Sequence, residues 1–167
     1  MTEAPTAAAE QHTEDGAGSA CGTGADGTLE RYVRFWNAPT ESEQRRLAAA
    51  TFADRVEYRA EIGVLVGGQA LMDFRNGFVG HVGTARLRLR ERPRVHHDRA
   101  RVRWEILTGE DAGDGARAAA PFATGTDVIV LDEDGRISSV TAFLDQAPEG
   151  FDPHGAGAGG AGAHDGG

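Results

Sequence analysis

Phe122 to Asp145 reads FATGTDVIVLDEDGRISSVTAFLD. Two apolar, β-branched runs flank Asp132-Glu133-Asp134-Gly135, a short polar loop ending in glycine, and this pattern predicts a β-hairpin. The first run carries one carboxylate, Asp127, with Val128-Ile129-Val130-Leu131 directly after it. A charge among strand residues otherwise free of charge must be paired, protonated, or turned to water or a ligand. Asp127 is therefore the first candidate functional residue. Strand alternation puts Asp127, Ile129 and Leu131 on the inner face, with Val140, Ala142 and Leu144 opposite. Val128, Val130, Thr141 and Phe143 then face outward as an apolar patch of the kind that meets a partner.

Upstream of the hairpin the periodicity is mixed. Leu29 to Asn37 predicts a short helix with Leu29, Tyr32, Val33 and Trp36 on one face. Asn37-Ala38-Pro39 stops it. Thr40-Glu41-Ser42-Glu43 has the form of a capping box, and the helix it opens runs to about Phe52. Val56 to Glu61 reads as a short strand and Ile62 to Gly68 as a glycine-bounded connection. Gln69 to Val82 predicts a third helix whose apolar face carries Leu71, Phe74, Phe78 and Val82, weakened by Gly77 and Gly80. Ala85 to Arg90 and Ala100 to Leu107 alternate strictly, as strands with one wet face do. Thr108 to Ala120 is polar and glycine-rich. The order is α-α-β-α-β-β-β-β, an α+β pattern with an antiparallel sheet.

The 167 residues suffice for one domain with a core. Residues 1–28 hold five acidic residues and no basic one, in an Ala/Gly/Thr-rich context, and 146–167 end in GAGAGGAGAHDGG. Both segments are read as disordered tails around a domain at 29–145. Removing 1–26 and 152–167 is accordingly expected to leave the melting temperature unchanged. All 17 basic residues are arginines within 29–145, against 18 acidic residues there. The domain is near neutral and the net charge of −9 belongs mostly to the ends, which argues against nucleic acid as a partner. The absence of lysine excludes Schiff-base chemistry. Cys21 has no second cysteine to pair with. No signal-peptide pattern and no membrane-length apolar run is present, so a cytoplasmic protein without a membrane partner is expected.

Arg103 and Glu105 share one face of the 100–107 strand; Ala100, Val102, Trp104 and Ile106 share the other. Either the charged face lies in water, or it lines a cavity while the Trp104 face packs on a second subunit. His96 and His97 are adjacent on a strand and point apart, so they make a poor metal pair. Tyr32 on an apolar helix face fits a core tyrosine whose hydroxyl reaches a partner. No serine-nucleophile elbow, phosphate loop or CxxC occurs, and neither metal nor nucleotide cofactor is expected.

In the order of RYVRFWNA, FADRVEYRAEIG, GGQALMDF and GTDVIVLDEDGRISSVTAFLD, the segment 29–145 resembles the NTF2-like superfamily, in its SnoaL-like and ketosteroid-isomerase-like branch. The resemblance implies a cone, in which a curved antiparallel sheet wraps three helices around an apolar pocket and the outer face forms a homodimer. It places an oxyanion-hole tyrosine on Tyr32 and a protonated aspartic acid on Asp127, an arrangement known from ketosteroid isomerase. The family's general base falls on Ala60. A second resemblance, to limonene epoxide hydrolase, is partial: an arginine–carboxylate pair falls on Arg103 and Glu105 and a tyrosine on Tyr58, but its asparagine falls on Ala60 and its second aspartate on Ala142. The expected catalytic set is Asp127, Tyr32, Glu105 and Arg103, with Glu105 standing in for the missing base. The expected ligand-binding set is Tyr58, Trp36, Phe74, Phe78, Ile129, Val140, Ala142 and Leu144. The implied activity is that of an isomerase, cyclase or hydratase on a small apolar carbonyl compound. The alternative is a non-catalytic ligand-binding or dimerisation module.

Overall fold

The computed structural model describes residues 20–112 and 120–151. Three helices, α1 (Ala20–Trp36), α2 (Glu41–Thr51) and α3 (Gly68–Val82), lie with a seven-stranded sheet. Its strands are β1 (Phe52–Ala60), β2 (Gly63–Val66), β3 (Ala85–Leu89), β4 (Arg94–His96), β5 (Arg99–Thr108), β6 (Ala123–Leu131) and β7 (Ile137–Gln146). A 3-10 turn, Gly109–Ala112, follows β5.

The predicted hairpin is β6–β7, paired antiparallel with Asp127 opposite Ala142 and Ile129 opposite Val140. Asp132 shapes its turn: the carboxylate accepts the backbone N–H groups of Asp134 and Arg136 at 3.0 and 2.9 Å. Gly135 takes φ +74°, a left-handed conformation that glycine adopts at no steric cost. Asp127, Ile129 and Leu131 are buried, whereas Val128 and Phe143 are exposed, as strand alternation requires.

The sheet runs β2-β1-β7-β6-β5-β3, with β4 on the end of β5. It is mixed rather than wholly antiparallel, because β1 lies parallel to β7. That contact joins strands some eighty residues apart, and nothing local in either strand encodes its direction. Register shifts in β1, β6 and β7 place bulges that bend the strands. Two strands exceed their sequence reading: β1 starts at Phe52, directly after α2, and the supposed connection 62–68 contains the edge strand β2.

The start of the domain is also corrected. α1 begins at Ala20, not Leu29, so 20–28 are helical and not a disordered tail. Ala25 and Thr28 are buried, and the Thr28 hydroxyl donates to Gly135 O at 2.8 Å, tying α1 to the β6–β7 turn. Residues 20–28 contain three glycines, and their low helix propensity hides the helix from sequence reading. Packing overrides it. On α1 the inward residues are Leu29, Tyr32 and Phe35, all buried, while Val33, one turn after Leu29, is half-buried and borders a surface groove with it. The end is corrected too: Gln146 closes β7, and Pro148, Glu149, Gly150 and Phe151 line the cavity, so 146–151 are not tail. The rest of the expected tails, 1–19 and 152–167, lies outside the described residues.

The capping of α2 is half of the predicted box. Thr40 accepts the Glu43 N–H at 3.2 Å, but the Glu43 carboxylate turns to Arg34 at 3.2 Å. The core joins α1 and α2 (Leu29, Phe35, Leu47) to the inner sheet face (Val56, Val102, Ile129, Ile137, Val140).

Deleting residues 1–26 removes Ala25 and the opening turns of α1. In contrast to the neutral outcome expected from composition, thermal unfolding of this truncation should show a loss of about 1 kcal/mol or more, equivalent to at least a few degrees in Tm. An unchanged melt would show that the opening turns of α1 contribute no stability.

Candidate functional site

The inner face of the sheet and the helices α1 and α3 enclose a cavity of about 400 Å³. Its walls are largely aromatic and aliphatic: Trp36 from α1, Tyr58 from β1, Phe74 and Phe78 from α3, Trp104 and Ile106 from β5, and Phe122 before β6. Ala60 and Ala142 also line it. Glu61, His81 and Glu149, all exposed, border the rim.

Asp127 borders the cavity with 1% of its surface exposed. Two side chains donate to its carboxylate. The Tyr32 hydroxyl reaches Oδ2 at 2.6 Å, and the Trp104 Nε1–H reaches Oδ1 at 2.8 Å. Burial raises the Asp127 pKa to about 6; the two hydrogen bonds, which favour the charged form, pull the other way. Burial and then the Asp127 charge push the Tyr32 and Tyr58 hydroxyls well above their usual range. Both tyrosines therefore stay protonated, and Tyr32 donates to Asp127. The Trp36 indole N–H is buried without a hydrogen-bond partner in good geometry, yet lies near enough to Tyr32 Oη to favour its ionised form slightly. Tyr32 and Trp36 meet edge to face at 6.1 Å, and Trp36 and Tyr58 are tilted at 5.7 Å. Arg75 reaches the cavity wall, but its guanidinium is committed to Trp36 O at 3.2 Å and Ala38 O at 2.7 Å.

Trp104 reaches Asp127 because Gly125 stands opposite it in the β5–β6 register. A Cβ at Gly125 would lie 2.2 Å from Trp104 Cζ2 and 2.6 Å from Phe143 O. No side chain fits there, so the indole lies across the strand where one would project.

Of the expected catalytic set, Tyr32 and Asp127 meet as donor and acceptor. Glu105 and Arg103 do not join them. Val102 pairs with Asp127 and Trp104 with Gly125, which puts residues 102 and 104 on the inner face and 103 and 105 on the outer. Glu105 accepts from Arg88 Nε at 2.7 Å, and Arg103 faces Glu91 at 3.9 Å. Of the two readings of this strand, the charged face lies in water. The Trp104 face turns inward, buried within the chain, and lines the cavity. Among the expected ligand-binding residues, Tyr58, Trp36, Phe74, Phe78, Ala142 and Leu144 line the cavity. Ile129 and Val140 do not: both are fully buried in the layer where sheet and helices pack without a gap. The sequence reading missed Trp104 and Phe122. A tryptophan on the apolar side of ARVRWEIL, with a glycine inside the next strand, was the available signal.

No family model and no curated protein matches the chain. Solved structures do. A SnoaL-like family protein assigned as an isomerase, from Agrobacterium tumefaciens str. C58, is 25% identical with a TM-score of 0.63, over 74% of this chain and 98% of that one. A protein assigned as a ketosteroid isomerase, from Kribbella flavida DSM 17836, is 17% identical with a TM-score of 0.56, over 84% and 92%. A protein assigned as a SnoaL-like polyketide cyclase, from Jannaschia sp. CCS1, is 14% identical with a TM-score of 0.56, over 74% and 86%. The chain has the NTF2-like fold. At 17% and 14% identity the likeness is one of fold alone. Within this NTF2-like cone, no group of three or more His, Cys, Asp or Glu side chains is placed to hold a metal among the described residues. No described helix is long and apolar enough to cross a membrane.

The raised Asp127 pKa carries a stability consequence. Below the unfolded value near 3.8 the carboxyl is protonated in both states and costs nothing. Between there and about 6 the folded state binds the extra proton, so stability falls as pH rises, and the full cost persists above. Asp127→Asn keeps both contacts, with Oδ1 accepting from Trp104 and Nδ2 donating to Tyr32. Its stability relative to wild type should rise by about 2–3 kcal/mol between pH 4 and 7.5. Urea titrations across that range check this; a pH-independent difference would mean that Asp127 titrates normally.

Proposed function

We propose that the protein is an isomerase or cyclase that moves a proton on a small, largely apolar carbonyl compound held in the cavity. One observation carries the reading: a single buried carboxyl, with a pKa of about 6, borders an otherwise apolar cavity. A carboxyl poised there can take a proton from the carbon next to a carbonyl and return it elsewhere on the same molecule. The Tyr58 hydroxyl, supported by Tyr32, is the donor available to the enolate oxygen, and dry aromatic walls strengthen that bond. Asp127 takes the role of base itself, since Ala60 and Ala142 supply no second carboxylate and Glu105 lies outside. The solved structure assigned as a SnoaL-like isomerase, 25% identical, supports this reaction class.

A panel of β,γ-unsaturated ketones, enones, epoxides and polyketide intermediates in deuterated buffer, followed by NMR, should reveal double-bond migration or ring closure with some of them. Asp127→Asn should lower that rate by about 10²–10⁴. An unaffected rate would overturn the assignment of Asp127 as the acid/base.

The two cavity-lining alanines favour a second reading, a non-catalytic ligand-binding module. No turnover across the panel, with a small molecule retained in native mass spectra of protein from its own host, would put that reading first.

A homodimer through the outer sheet face belongs to the same proposal. Val128 is 39% and Phe143 53% exposed on adjacent strands, and an exposed apolar patch in a sheet centre fits a partner surface. Wild type should sediment as a dimer at micromolar concentration and Phe143→Asp as a monomer; a monomeric wild type would remove the dimer.

A further inference from the structure

We propose that the cavity selects an organic cation, a protonated amine or quaternary ammonium on an apolar body, over neutral or anionic ligands of the same shape. This goes beyond the reaction proposed above and holds whether or not the ligand is turned over.

The inference begins from charge balance. Asp127 is buried, and no cation among the described residues pairs with it; its contacts are the neutral donors Tyr32 and Trp104. Buried carboxylates normally have a cationic partner. The cation nearest the site in the wall, Arg75, is turned to the carbonyls of Trp36 and Ala38 and to Asn76 Oδ1 at 3.1 Å. The rim adds two more carboxylates, Glu61 and Glu149, beside His81. An entering anion passes those carboxylates and ends against a third. An entering cation is attracted at both stages.

The walls supply the second argument. Trp36, Tyr58, Phe74 and Trp104 line the same cavity as Asp127, and Trp104 touches it. Aromatic faces attract ammonium groups through their quadrupoles, most strongly when both are desolvated, with tryptophan the best. A cavity of about 400 Å³ accommodates a drug-sized amine. Aromatic walls around a buried carboxylate that lacks a protein cation form a cage for one.

Both tryptophans of the chain border this cavity, so intrinsic fluorescence reports its occupation. Three probes of similar shape separate the possibilities: benzyltrimethylammonium, its uncharged carbon isostere neopentylbenzene, and 3-phenylpropanoate. With the full chain at pH 7.5, the cation should bind at least about tenfold more tightly than the anion, the scale set by one cation–aromatic contact. In Asp127→Asn the ratio of cation to neutral affinity should fall about tenfold, with neopentylbenzene affinity unchanged. The proposal is overturned if wild type binds the anion as tightly as the cation, or if the cation-to-neutral ratio survives in Asp127→Asn. The first comparison needs only wild type and decides the matter should the variant fail to fold. Absence of turnover on carbonyl substrates leaves these affinities untouched, so failure of the reaction and failure of the selectivity are distinguishable.

Discussion

The carboxylate of Asp127, held in the interior by one hydroxyl and one indole N–H, is the constraint on which this structure turns. Desolvating a carboxylate costs several kcal/mol, and two charge-assisted hydrogen bonds recover part of that. The residual cost is visible as a carboxyl that holds its proton to about pH 6. Each donor also crosslinks the fold. Tyr32 joins α1 to β6 across 95 residues of sequence, and Trp104 joins β5 to β6. The helix layer and the sheet thus meet at a polar contact inside an apolar core. A buried network of this kind specifies how the layers dock more sharply than apolar packing alone.

Placing Trp104 there depends on Gly125, the residue that lets an indole lie across a strand. The same register turns Arg103 and Glu105 to water, where Glu105 is neutralised by Arg88 across the β3–β5 pair. A charged side chain on the inner face of β5 would have to displace the indole, and the carboxylate would lose its Trp104 donor. Cavity composition and surface charge are therefore two consequences of one parity. It is set by a glycine that nothing in the local hydrophobic pattern marks as important.

Residue patterns disclosed the elements governed by short-range rules. The β6–β7 turn, the Thr40 cap and the inward face of β6 all follow from spacing and turn chemistry. Three things escaped. The opening of α1 is glycine-rich and helical only because Ala25 and Thr28 pack. The parallel β1–β7 pairing joins distant segments and leaves no periodic trace. The orientation of β5 was ambiguous, since a strand of alternating arginines and apolar residues satisfies period two whichever side faces the cavity. Asp127 and Tyr32 were legible because a carboxylate among β-branched residues and a hydroxyl on an apolar helix face each demand a partner; that they are each other's partner is a fact of packing. Ile129 and Val140 share the inward phase of Asp127 and Ala142. Phase fixes the face, but not where helices close the gap above it.

The Tyr32 and Trp104 donors, and Tyr58 nearby, are all held in one protonation state. Indoles have no accessible ionisation, and burial beside a carboxylate pushes Tyr32 and Tyr58 well above their ordinary range. Among the described residues, the only buried group with a shift resolved into the range near neutral pH is Asp127. Any proton that moves at the cavity's inner end therefore moves through its two oxygens, with the tyrosines and indoles as fixed dipoles. Such dipoles need no reorganisation when charge shifts between carboxylate and ligand, the condition under which electrostatic stabilisation of a transition state is most effective. Ala60 and Ala142, which line the cavity, place no second acid there. A second carboxylate within a few ångströms would raise the pKa of one of the pair further and divide the proton between them. With alanines there, Asp127 is the one buried carboxyl lining the cavity among the described residues, and Glu61, His81 and Glu149 act on a ligand only from the exposed rim.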